Sequence, residues 1–485
     1  ALLKTYDRAL FTAAVLGDHG VAEALLRSGA SRDKPNASGR CALHVAARRG
    51  HTLVVNVLLS QGASPHVQDL HDARGTALHL AAEGGHPATV RALVKGGAEV
   101  DCRDEFGFTP LHAAIENDAC ADTVEALLEA GAGTYERTKD NWCPLHLAAR
   151  RPSQTKLVKA LLSAKAEVNS RGYDDMTPLM VAAQFNNEAA VQVLLMRGAR
   201  VNLTNSECCD AMVFAVRSTE RQKDGKWAAG QVLKMLIAAG APVNFTGPNA
   251  DRRRSALYYA AVDHHDEACR ILLEAGADVR WRMKTSGAVG DDEKGFTILH
   301  AATQNWEHVN GVIGWEDAEE TVMTLVAAGA DLNDVDGEGQ TPAQHCSAYN
   351  EDLASTLRSM KDLPAFRLAF LGSQPASFIR RLLKTGQIDP DDCIGTDVQA
   401  TLASAARCGR DHEVLVQLAF GLSAAGDPCR RFSGWRPSNH WLHHAGVRRA
   451  VQATLTAAAA RVAELPVLPL EMWYRILANL SRSDF

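Results

Sequence analysis

The chain has 485 residues and a formal net charge of -6, from 51 Lys and Arg against 57 Asp and Glu. That balance argues against nucleic acid as the main partner, since nucleic-acid binders carry a clustered basic face. With 46% hydrophobic residues the chain is also too apolar for a disordered polyelectrolyte, and no apolar run reaches the ~18 residues that a membrane helix needs.

The eleven cysteines are scattered, with no CxxC pair and no metal-ligand spacing. They read as free thiols in a reducing compartment, so the expected location is cytoplasmic or nuclear. The chain opens at Ala1 without a secretory signal and without Met; the expectation is a start trimmed at that end.

One phrase recurs along most of the chain. Gly107-Phe108-Thr109-Pro110-Leu111-His112-Ala113-Ala114 is its fullest copy, and Gly75–Ala82, Cys143–Ala149, Met176–Ala183 and Gly295–Ala302 are others. Thr before Pro starts a helix, because the hydroxyl can cap free backbone N–H groups and Pro at the first helical position leaves none unpaired. A second helix follows, such as Thr123 to Ala130, and then a Gly-Ala step. Those steps fall at Gly29, Gly62, Gly97, Gly131, Gly198, Gly240, Gly276 and Gly329. Glycine there supplies the left-handed backbone that ends a helix. In one unit Lys165-Ala166 stands instead. Val-Asp or Val-Asn (Val100-Asp101, Val168-Asn169, Val201-Asn202, Val243-Asn244) then leads into a hairpin-like loop.

With a period of about 33 residues, this pattern resembles the ankyrin repeat family. The resemblance spans Leu10 to Leu357, about ten units. It implies an all-α solenoid of antiparallel helix pairs with β-hairpin fingers and a concave face that binds a protein partner. The first unit, Leu10 to Gly29, is worn and suits an N-terminal cap. Residues 1–360 are therefore expected to form the array. Insertions fall at 217–228, at 281–294 and at 304–317, and residues 361–425 read as degenerate helix pairs of the same kind. From 426 to 485 the composition departs from the repeat and predicts a helical tail.

The tail ends in Leu468-Pro469-Leu470-Glu471-Met472-Trp473-Tyr474-Arg475-Ile476-Leu477-Ala478-Asn479-Leu480, with Leu468, Met472, Ile476, Leu477 and Leu480 on one broad helical face and Pro469 and Glu471 suited to a first turn. This resembles a shortened F-box like those that follow ankyrin arrays in poxvirus proteins. The resemblance implies docking of a Skp-type adaptor of a cullin ubiquitin ligase, with the repeats choosing the substrate. A SOCS-box-like tail starting from Leu465-Pro466 and a tail that only caps the solenoid are the alternatives.

The histidines at 44, 79, 112, 146 and 300 recur once per unit, so they read as bridges between repeats rather than ligands or bases. His264-His265 occupies an inter-helix turn where other units have Gly-His, and Asn439 to His444 reads as a connecting loop. No phosphate loop and no nucleophile elbow is present. No enzyme, no metal and no cofactor is expected, and the chain is expected as a monomer. The candidate partner-binding residues are aromatic and charged groups at loop tips and insertions: Phe106, Asp140, Trp142, Tyr173, Asp174, Trp281 and Trp306. Trp and Tyr give large contact area at low entropy cost.

Overall fold

The computed structural model describes residues 2–36, 39–70, 73–117, 121–218, 227–244, 254–283, 295–304, 315–347 and 350–360. The helix pairs expected at 361–425, the tail 426–485 with its Leu468 to Leu480 motif, and Trp306 lie outside these residues. The chain divides into two compact units after Pro242.

The first unit is a double row of short helices. One row contains α1 (Leu2–Leu16), α3 (Ala42–Arg48), α5 (Ala77–Glu83), α7 (Pro110–Glu116), α9 (Pro144–Arg150), α11 (Pro178–Gln184) and α13 (Ala211–Val216). The other contains α2 (His19–Arg27), α4 (Thr52–Ser60), α6 (Pro87–Lys95), α8 (Ala121–Glu129), α10 (Thr155–Ser163), α12 (Glu188–Met196) and α14 (Gly230–Ala238). Each helix packs on its hairpin partner, and each inner helix also on the helices one repeat before and after it in its own row. In the second unit, α15 (Ala256–Val262) pairs with α16 (Asp266–Glu274), α17 (Ile298–Ala302) with α18 (Trp315–Ala327), and α19 (Pro342–Ser347) with α20 (Glu351–Met360).

A helix of seven residues does not stand alone in water. Burial of its neighbours holds it. Leu43, Leu78, Leu111 and Leu145 on the first row and Leu58, Leu93, Leu127 and Leu161 on the second are fully buried, each worth about 1.5–3 kcal/mol. The alanines of the phrase, such as Ala46, Ala81, Ala114 and Ala148, are buried as well and allow the rows to approach closely.

Two helix starts are built as the phrase predicts: the Met180 and His300 amides donate to the Thr177 and Thr297 hydroxyls. At Thr76 and Thr109 the hydroxyl does not cap an amide and instead meets the Nδ1 of His79 and His112, at 3.1 and 2.9 Å. The histidine three places on accepts the amide of the capping residue at Nδ1, as His112 does from Thr109 at 3.2 Å. Its other nitrogen reaches the next repeat: His44 meets the Val67 carbonyl at 2.9 Å, His79 that of Phe108, His146 that of Met176 and His300 that of Gln340, each at 3.0 Å. These histidines are structural bridges.

Two further ladders join repeats. At the inter-helix turn, the His51 ring reaches back to the Val15 carbonyl and that of His86 to the Arg48 carbonyl, both at 3.1 Å. Asn187 donates likewise to Ala149 and Arg151. Gly17 and Gly50 make room: a β-carbon there would stand 2.7 and 2.6 Å from the incoming ring. After the Gly-Ala step, the Ser64 amide donates to Asp33, the Gly133 amide to Asp101, the Arg200 amide to Asn169 and the Asp278 amide to Asn244, at 2.8–3.0 Å. The Asp or Asn of the Val-Asp and Val-Asn pairs is thus a junction residue. His66 and Tyr135 stand at the same place and carry no such acceptor.

The insertion at 217–228 is described at its ends. Trp227 turns inward, 4% exposed, and its indole N–H donates to the Ala215 carbonyl at 3.2 Å. The 281–294 and 304–317 insertions are described only in part, and α18 begins within the latter.

Candidate partner-binding surface

The loops between repeats form fingers stitched edge to edge by their backbones. The Leu70 amide donates to the Gly39 carbonyl, Glu105 to Ala73, Lys139 to Phe106 and Ser206 to Asp174, at 2.7–3.3 Å. The Asn141 side chain adds a bond to the Gly172 carbonyl at 3.0 Å. Isolated antiparallel bridges, Gln68 with Thr76, Thr204 with Asp210 and Arg282 with Thr297, are what remains of a hairpin in these loops.

Arginines brace the bases of three successive fingers. Arg103 donates to the Arg137 carbonyl and pairs with Glu136. Arg137 donates to the Arg171 carbonyl and to Asn141. Arg171 donates to the carbonyls of Thr204 and Asp175. Sequence reading missed this ladder, although an arginine at 103, 137 and 171, one per repeat, was its signal.

On that frame Phe106 is 56% exposed and Tyr173 is 59% exposed. Trp142 is half-buried. Its ring lies edge-on to His146 with centroids 5.2 Å apart and continues into Tyr173 at 6.0 Å, tilted 35°. Gly172 lets the indole lie flat against the finger, since a β-carbon there would come within 2.9 Å of the Trp142 ring. Trp142 and Tyr173 thus form one aromatic shelf, and Phe106 stands on the finger before it. Asp140 is exposed beside Trp142. Asp174 takes a left-handed backbone (φ 53°) and spends its carboxylate on Asn205 and Ser206 of the next finger. Trp281 belongs to the second unit and packs edge-on against the buried Tyr258 at 5.6 Å. The structure therefore brings Phe106, Asp140, Trp142, Tyr173 and Asp174 together in the first unit. Leu70, 68% exposed on the preceding finger, extends the row as an apolar group that no aromatic in the sequence marks.

The chemistry of the buried groups is that of packing. Burial, partly offset by the bond to the Trp142 carbonyl, pulls His112 down to about 4. Burial pushes the Cys41 thiol up. At Cys143 burial raises, but the bonds to His146 and Ser170 outweigh it and bring the thiol to about 7. Both thiols are enclosed and lie against a histidine Nδ1 at 2.9 Å. Among the described residues no group of His, Cys, Asp and Glu is placed to hold a metal ion, and no helix is long and apolar enough to cross a membrane.

No curated protein matches the chain. Among solved structures it is similar to the ankyrin repeat domain of Bcl-3, described as a unique member of the IkappaB protein family, at 28% identity over 47% of this chain and 97% of that one, TM-score 0.40. It is also similar to the human ASB11 ankyrin repeat domain, at 28% identity over 45% of this chain and 90% of that one, TM-score 0.39. The family model "Ankyrin repeats (3 copies)" matches residues 2–69, 67–138, 119–205 and 227–314, more than half of the chain. With its paired helices, Thr-Pro-Leu-His starts and stitched fingers, the chain belongs to the ankyrin repeat family, whose repeats serve protein–protein interaction.

Proposed function

We propose that the chain is a non-enzymatic recognition protein that holds a protein partner across the fingers and concave face of its first unit. The observation that carries this reading is the pair of exposed aromatics, Phe106 and Tyr173, set on a braced and hydrogen-bonded finger row with Trp142 between them. Exposed aromatics on a rigid base are what an interface uses as anchors. Affinity capture with the full chain, wild type against a Trp142→Ala, Tyr173→Ala double variant, tests it. The expected outcome is loss of the captured proteins from the variant; an unchanged set would end the finger reading.

We further propose that the tail links this partner to a cullin ubiquitin ligase through a Skp-type adaptor. The support is the sequence pattern of Leu468, Pro469, Glu471, Met472, Ile476, Leu477 and Leu480, in a segment that the family match does not reach. Adaptor recovered with the full chain and lost on deleting 468–485 is the expected result. Equal recovery from both, or none, leaves a scaffold whose tail caps the array, and recovery of elongins instead would indicate a SOCS-box-like tail.

A further inference from the structure

The charges around the shelf set the chemistry it selects. Glu105, Asp140 and Asp175 are exposed on the fingers that carry Phe106, Trp142 and Tyr173. Among the described residues none of these three has an ion-pair partner. The arginines closest in sequence do not neutralise them, because Arg103, Arg137 and Arg171 direct their guanidiniums into backbone carbonyls, Glu136 and Asn141. Lys139 and Arg103 are the exposed cations of this stretch, and Arg103 is spent on Glu136 and the Arg137 carbonyl. The surface is therefore aromatic, acidic at its edges and continuous across successive fingers.

A π face attracts a cation, and arginine most often, because its flat guanidinium stacks while its N–H groups remain free to meet a carboxylate. The Trp142–Tyr173 shelf offers such a face, with Asp140 and Asp175 on the same two fingers. Fixed finger edges leave the partner to adapt, which suits an extended segment better than a folded face. Resting on the finger-tip reading above, we infer that the shelf docks an extended segment of the partner protein rich in arginine and lysine, its cations stacked on Trp142 and Tyr173 and paired with Glu105, Asp140 and Asp175.

The test is selection of a phage-displayed library of random twelve-residue peptides on the full-length protein, with counter-selection on the Trp142→Ala, Tyr173→Ala variant. Peptides that depend on the shelf should be enriched in Arg and Lys over the input library. Their binding should weaken at least tenfold in a Glu105→Gln, Asp140→Asn, Asp175→Asn variant, whose exposed substitutions leave packing intact, and the salt dependence should flatten. A Glu125→Gln, Glu129→Gln variant on α8 should bind as wild type, which separates the shelf from a general attraction of cations to an acidic protein. Shelf-dependent peptides with no basic enrichment, or unchanged binding by the charge-neutralised variant, would overturn the inference. If that happened while the aromatic variant still lost its captured proteins, the finger-tip reading would stand and only the basic-segment inference would fall.

Discussion

His112 carries its proton on Nε2, because the atom facing that nitrogen is the Trp142 carbonyl oxygen, which can only accept. Its Nδ1 accepts from the Thr109 amide, which can only donate, and lies 2.9 Å from the Thr109 hydroxyl. Protonating the ring therefore removes the acceptor of the Thr109 amide, and burial already holds the group near 4 against an ordinary 6.5. The folded protein refuses a proton that the unfolded chain accepts below about 6.5, so stability is full above that pH and is lost as pH falls towards 4. At one residue this is worth roughly 3 kcal/mol. Burial also lowers His44, His79 and His300, so urea midpoints measured from pH 7 to pH 4.5 should fall steeply, and His112→Gln should shallow the slope. A flat profile would contradict these bridges. Lys165 gives a second residue-scale test. It holds a left-handed backbone (φ 66°) where other units use glycine. Lys165→Gly should raise stability by about 0.5–1 kcal/mol, read from the urea midpoint. No gain would mean that the lysine side chain compensates for the strain.

At the scale of the element, a finger is held by its neighbours rather than by a sheet of its own. Arg137→Met removes donors to the Arg171 carbonyl and to Asn141 and should cost about 1 kcal/mol. Hydrogen exchange of the amides in 138–142 and 171–176 should rise several-fold, while the amides of α7 and α9 keep their protection. Unchanged exchange would show that the backbone stitches suffice alone. Trp227 anchors an insertion that the sequence could only mark as extra length; Trp227→Ala should lower stability by roughly 3 kcal/mol in a urea titration. The helices were legible because Thr177, Pro178 and Gly198 each have a local cause that the sequence displays. The once-per-repeat spacing of Arg103, Arg137 and Arg171 is visible in the sequence, but what they reach is not, nor is the role of Trp227, because their shared partners are main-chain carbonyls. Trp142 was legible as an aromatic at a finger, but its half-burial depends on Gly172 in the following repeat.

At the scale of the molecule, each inner repeat of the first unit touches the one before and the one after, so the unit's stability is a sum over junctions. The loss from Trp227→Ala should accordingly stay local, with α3 to α7 as protected from hydrogen exchange as before. The bridges also have a direction. The phrase histidine gives its proton to the following repeat, while the turn residue at His51, His86 or Asn187 gives one to the preceding repeat. Both kinds of bond end on main-chain oxygens, which every residue carries. A unit copied and spliced in beside its original would meet acceptors at both borders whatever its side chains. An array joined in this way can grow by duplication first and acquire its specificity afterwards, one finger at a time.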